Sequence, residues 1–568
     1  MNNHIIPQYG GIKQVIAVSL GLFLVFLDST IVNVSLPVII KDYNIDLNLA
    51  SWIINSFVLT LAIFLITLGK LADIFGRIRL FLVGVILFAL SSFLCGIAPS
   101  IEILIASRVL QGIAGAMIIP TSMMLVRTAV PPEKTGLAMG IWGAIGALAV
   151  ALGPSIGGVL TEYIHWRWIF YINVPIIIIS YPFLLWAFKG SKDVKTPFKL
   201  DIWGIVFLSI TLYFFTYAIL QGEKLGWSST TTYTYFGISL VAGILFLVIE
   251  SKAKSPLVDL SIFRNKEYLG GIISNFLSGI LLMGTLILLP IYLTQVKGFD
   301  TLQASFLITP LSGVMLLVAP IIGRLMDKIG YMLPMFLGYI FTITGFIPLI
   351  KLNENTEIST LFIIMSLLGT GLGILMVSSV TICTATVTDK HVSLGSGIFA
   401  TARNMGGALG VSLFVSITMS LLNQYSIEII EDGVSKFEKA NIPTEVKAAA
   451  IQKLEGRKDS FFEGKEEIEK FEFSDTDYNN IVLLEKQEIL KKMPVGGSIS
   501  SDIEKEIKAK VDMEIAAVEN EVNDIQHEIE KNANFYIGKA MNKAFLSGLI
   551  LACVFSISLL LLRKRKTI

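Results

Sequence analysis

Charge is what this chain has least of. Only 16% of its 568 residues are Asp, Glu, Lys or Arg, 54% are hydrophobic, and the mean hydropathy is +0.71. Soluble domains carry about a quarter charged residues, so a soluble enzyme is excluded. Cysteine is nearly absent as well: Cys95, Cys383 and Cys553 all lie in apolar runs without metal-ligand spacing. That excludes a disulfide framework and a zinc site, and leaves the thiols as packing residues. No basic cluster is present, because positive residues are scattered in short loops, so no nucleic-acid partner is expected. No phosphate-binding P-loop occurs, which argues against an ATP-driven pump.

What is present is apolar helix. Runs of about 20 residues recur, each long enough to cross roughly 30 Å of hydrocarbon. Fourteen spans are expected, near 14–39, 50–69, 79–98, 102–126, 136–160, 168–188, 201–221, 232–250, 268–294, 304–323, 332–350, 359–382, 394–422 and 538–562. The stretch Val15 to Ile39 is too long for a signal-peptide core and reads as the first span. With the N-terminus inside, 21 basic residues fall in inside segments, against five (Lys41, Arg167, Lys224, Lys297, Lys351) in short outside loops. That bias puts both termini in the cytoplasm.

The net charge of +1 hides two opposite parts, since residues 423–543 hold 17 Lys and Arg and 26 Asp and Glu. This acidic stretch between spans 13 and 14 lies outside the cell by the same count. Val511, Ile515, Val518, Val522, Ile525 and Ile529 form a heptad seam after a capping box at Ser501–Glu504. Ile427 to Phe437 and Val446 to Leu454 are the candidate partner face, giving an extracellular helical hairpin over 423–537. It is either a solvated spacer or a docking appendage with an extracellular partner.

The pattern G-x3-D-x2-G occurs twice: Gly69, Asp73 and Gly76 between spans 2 and 3, and Gly323, Asp327 and Gly330 between spans 10 and 11, offset by 254 residues. Recurrence at matching places signals a repeat of two six-helix bundles with the substrate site between them near the bilayer midplane. The expected division is 1–188 for the first bundle, 189–267 for two inserted linker helices, and 268–568 for the second bundle with the insert. Glycines permit tight turns, and Asp73 at the start of the following helix is expected to meet that helix's dipole together with Arg77 or Arg79. The loops then act as a conformational switch, or else are plain tight turns with topology-setting charges.

Leu27 to Pro37 in span 1 (LDSTIVNVSLP), the Gly69 to Arg79 loop, Arg108-Val-Leu-Gln111-Gly112, Gly153-Pro154-Ser-Ile-Gly157-Gly158 and Trp166 to Pro175 together resemble the major facilitator superfamily. More narrowly, they resemble its fourteen-helix drug:proton antiporter branch of multidrug efflux proteins. The likeness covers essentially all of the chain except the insert. It implies a functional acid at Asp28, proton coupling at Arg108, and an exporter's glycine-proline pattern at Gly153, Pro154, Gly157 and Gly158.

Asp28 is the one carboxylate placed well inside a span. An ionised Asp at mid-membrane costs about 2.5 to 3.5 kcal/mol, so it either exchanges a proton or stays neutral in a hydrogen bond to a neighbouring helix. Arg108 is the matching cation, for coupling or for helix-to-helix bonding. Span 5 presents Gly136, Gly140, Gly143, Ala147, Pro154 and Gly157 on one face, a surface for close packing and a site for a kink. Candidate cavity residues are Phe23, Phe26, Trp52, Met117, Phe170, Tyr171, Met283, Tyr292, Met365 and Met376, with Asn33, Asn55, Gln111, Asn275, Gln295, Arg403 and Asn404 as polar contacts. Members of the resembled branch that expel dicationic compounds carry extra membrane carboxylates, whereas here no acid stands at Asn55 or within Phe399 to Asn404. That departure from the resemblance implies a neutral, monocationic or amphiphilic cargo and poor handling of multivalent cations.

The expected function is proton-driven export of small lipophilic compounds, drawn from cytoplasm or membrane lipid, across a bacterial cell membrane by a monomer without cofactor. One proton entering contributes about 2.3 kcal/mol per 100 mV and about 1.4 per pH unit. Asp28 loads it from outside and incoming cargo displaces it. A lipid or envelope-precursor exporter of the same fold is the alternative reading, and a non-transporting scaffold or receptor built around the insert a remote one.

Overall fold

A computed structural model describes residues 10–45, 47–191, 193, 201–253, 256–388, 391–456, 482–483 and 501–562. Among them there are helices, turns and no strand. Fourteen helices are long and apolar enough to cross a membrane. They are carried by Ile12–Tyr43, Leu47–Phe75, Arg77–Ile97, Ile101–Ala129, Thr135–Tyr163, Trp168–Ala187, Ile202–Leu225, Thr230–Lys252, Lys266–Ile291, Thr301–Ile329, Met332–Leu349, Ile358–Ala385, Val392–Lys439 and Ser501–Phe555, called spans 1 to 14. Continuous helix is the only open-chain way to satisfy backbone polar groups in hydrocarbon, which is why apolar runs alone place these elements.

Spans 2 and 10 both stop at the last glycine of the repeated motif. Gly76 has φ 104° and Gly330 φ 84°, values a side chain resists, so the reversals into spans 3 and 11 require glycine at both sites. Span 5 packs on span 1, where a Cβ added at Gly157 would stand 2.6 Å from the Ile31 carbonyl oxygen. The helix runs on through Pro154. Spans 7 and 8 pack on one another, and span 7 touches span 2 through Tyr217 on Trp52, 5.7 Å between centroids, and span 13 through the bond from Ser412 to the Ile219 carbonyl, 3.0 Å.

The chain divides into two compact units, residues 1–416 with 541–568, and 417–540. In the second, Ile429, Ile430 and Phe437 meet Ile442, just ahead of the helix Thr444–Gly456, with Val446, Ala450 and Leu454 of that helix and Val522, Ile529 and Ala533 of the helix starting at Ser501. Val518 and Ile525 pack against this core, so much of the heptad seam is buried there. Gly433 lets Leu454 and Ile529 approach. Lys436 bridges Asp432 and Glu528 at 3.2 and 3.0 Å. The side chains of the expected capping box from Ser501 to Ile503 lie outside the described set. Val522→Asp buries an unpaired charge in this core, at a cost of several kcal/mol. Amides of 429–454 and 518–533 should then lose hydrogen-exchange protection while those of spans 1 to 12 keep theirs.

Candidate functional site

Asp28 is fully buried on span 1, and Arg108 of span 4 is 1% exposed beside it. The two form a hydrogen-bonded ion pair through Arg108 Nη1 and Asp28 Oδ2. Asp28 Oδ1 accepts from Gln111 Nε2 at 2.9 Å and from Asn173 Nδ2 at 3.1 Å. Both amides also donate to Ser92 Oγ, at 3.2 and 2.9 Å, and Ser92 donates to the Phe170 carbonyl at 2.9 Å. Four spans, 1, 3, 4 and 6, therefore converge on one carboxyl group.

Arg108, Gln111 and Asn173 each offer a hydrogen to Asp28, an arrangement matched to a carboxylate. Arg108 has other partners: Nε donates to the Ile53 carbonyl at 2.9 Å, Nη1 to Gln111 Oε1 at 2.6 Å, and the guanidinium lies over Phe57 and Phe170, 4.2 and 5.8 Å from their centroids. Carbonyls and aromatic faces therefore satisfy the arginine in addition to its acid. The buried Oδ1 of Asn173 has no hydrogen-bond partner.

The two motif loops reach across the molecule. Asp327, near the end of span 10, accepts from the backbone N–H of Gly136 and Leu137 at 2.9 and 3.1 Å, the first turn of span 5. Asp73, near the end of span 2, bonds the Ser393 hydroxyl in the first turn of span 13 and pairs with Arg77 at 3.0 Å. The expected pairing of Asp73 with Arg77, the first residue of its own following helix, forms, but the N–H groups of Ile78 and Arg79 in that helix are taken by another acid. Asp193, from the segment after span 6, accepts from the N–H of Ile78 and Arg79, both at 3.0 Å, and Asp73 sits one turn too early to do so. The backbones meet where the motif glycines lie. A Cβ at Gly136 or Gly323 would run into the other's carbonyl oxygen, and one at Gly69 would lie 3.3 Å from the Ser393 oxygen. Just ahead of span 13, His391 Nε2 lies 2.9 Å from Asp259, whose carboxyl is held below its ordinary range by hydrogen bonds from Ser261 and by His391.

The other candidates scatter. Gln111 is engaged in the acid's cage, and Met117 packs into the Gly84 gap of span 3. Asn33 is exposed, Asn55 half-buried, and Trp52 faces Tyr217. Gly153 abuts Thr30, while Gly158 has only Val34 near it, at 3.8 Å. Asn275 donates to the Phe399 carbonyl at 2.7 Å, Met283 fills the space at Gly407, Asn404 donates to the Val58 carbonyl at 3.2 Å, and Arg403 lies over Phe26 at 5.1 Å. Sequence reading missed Asn173, Ser92, Asp193 and Ser393 as site residues. Asn173 lies inside the Trp166 to Pro175 motif, and the other three carry no local signal.

Residues 18–411 match the sequence profile of the Major Facilitator Superfamily. The chain belongs to that family. It is 31% identical over 409 residues to multidrug resistance protein Stp of Mycobacterium tuberculosis, covering 72% of this chain and 76% of that protein. To multidrug export protein EmrB of Haemophilus influenzae it is 32% identical over 412 residues, 72% and 81% of the two chains. To the tetracenomycin C resistance and export protein of Streptomyces glaucescens it is 30% identical over 428 residues, 75% and 78%. Among solved structures the human organic anion transporter MFSD10 shares the fold, with TM-score 0.52 at 17% identity over 71% of this chain and 93% of that one. This major facilitator protein is a multi-pass membrane protein with fourteen candidate spans.

Proposed function

We propose that the protein is a proton-coupled antiporter that exports lipophilic and amphiphilic compounds across the bacterial cell membrane, with both termini in the cytoplasm. The observation that carries this reading is the Asp28–Arg108 pair, buried among four spans with alternative partners ready for the arginine. The relatives named for multidrug resistance and multidrug export support the direction and the cargo class. Proton binding at Asp28 and cargo binding favour opposite-facing forms, and the loop contacts of Asp73 and Asp327 hold one of them. The acidic unit 417–540 is an accessory on this reading, and the antiporter works as a monomer.

Proteoliposomes with an imposed pH gradient test it directly. Adding compounds from a lipophilic panel should discharge the gradient only where the protein is present and only for compounds that also move. A full panel that leaves the gradient intact rejects the proposal.

A further inference from the structure

One aspartate and two arginines, Asp28, Arg108 and Arg403, stand deep within the described spans. The first two neutralise one another. Arg403 of span 13 has no carboxylate in an ion pair among the described residues, and its buried Nη1 has no hydrogen-bond partner. A guanidinium stays charged, so hydrocarbon does not silence it as it silences an acid or a lysine.

Its surroundings place it between the two sets of spans. The Arg403 carbonyl oxygen would lie 2.6 Å from a Cβ at Gly279 of span 9, so its backbone is held tightly there. Its guanidinium covers Phe26 of span 1, and Phe26 lies 3.0 Å from the Cβ position of Gly146 on span 5. The next residue, Asn404, bonds span 2. One turn earlier Asn275 of span 9 bonds the Phe399 carbonyl and leaves its own buried Oδ1 without a partner. A fixed cation with an unmet N–H lies over an aromatic ring, with a second unmet polar atom one helical turn away along span 13.

We infer that Arg403 sets the charge of the cargo: it binds the anionic end of a lipophilic monoanion, a carboxylate or sulfonate on a flat apolar body, and repels cations. This deepens the export reading and rests on it. An oxyanion satisfies the unpaired Nη1 with a charge-assisted bond. Phe26 already has a cation on its face, so a cationic cargo gains no ring to stack on and meets an uncompensated positive charge. A dication meets it twice over.

Pyrenylbutyl carboxylate, alcohol and ammonium share one body and differ in charge. Their dissociation constants are measured on the full-length protein in phosphatidylcholine nanodiscs without any gradient, corrected against empty discs. The carboxylate should bind about tenfold or more tightly than the other two. Arg403→Gln should erase that difference and Arg403→Lys should keep most of it. A wild-type preference for the ammonium, no preference, binding of none of the three, or an Arg403→Gln protein that still discriminates overturns the inference. Should Arg403→Gln fail to fold, the wild-type ranking and the Lys variant still decide. In a second arm, discs with phosphatidylglycerol that abolish carboxylate binding assign Arg403 to a lipid headgroup and overturn the cargo role. Failure here leaves gradient-driven efflux of the alcohol standing, whereas failure of the antiport reading leaves the binding order standing.

Discussion

Asp28→Asn should bring the cargo ratio that a pH gradient sustains down to unity, from about a hundredfold for a single proton worked over a typical combined gradient. Asparagine nearly matches the shape of the acid and can still meet the amides of Gln111 and Asn173, and Arg108 keeps the Ile53 carbonyl, Gln111 Oε1 and two ring faces. The fold should therefore survive, with unchanged far-UV circular dichroism and a monodisperse elution profile, though with a lower Tm because one buried cation has lost its counter-charge. The decisive comparison is between energised and unenergised proteoliposomes. Accumulation in the Asn variant that still rises with the imposed gradient would mean the proton binds elsewhere.

Gly136→Val is expected to have the second-largest effect. The side chain has to enter the space held by the Gly323 carbonyl, and the neighbouring N–H groups are those that Asp327 holds. Overpacking of this kind costs about 1 to 3 kcal/mol, which shifts a two-state equilibrium by about 5- to 150-fold. The population should move toward the form open on the motif-loop face and transport should fall with it. Spin labels on the two motif loops, in a background without native thiols, should report a longer mean separation. A distance distribution matching the parent would show that Gly136 and Gly323 do not hold that face shut.

The spans were legible because hydropathy is a property of each stretch by itself, and a buried backbone leaves no alternative to helix. Asp28 and Arg108 stood out for the same reason: ionised groups are conspicuous among apolar residues. Their cage was not legible, since Ser92 and Asn173 are ordinary polar residues until spans 3 and 6 pack beside span 1. Gln111 illustrates the limit from the other side. A polar residue in a span is a plausible cavity contact, and only the packing reveals that its amide is already engaged by Asp28 and Arg108. For Asp73 only the local half was legible: the pair with Arg77 forms as expected, but its other partner, Ser393, is 320 residues away.

The crossed grip of Asp73 on the start of span 13 and of Asp327 on the start of span 5 binds the two copies of the motif to each other's territory. Mutational drift in either copy is then judged by the opposite half of the polypeptide. At these clasps span 2 varies together with span 13 and span 10 with span 5, so a chimaera joining halves from two diverged transporters inherits mismatched clasps even when each half is sound.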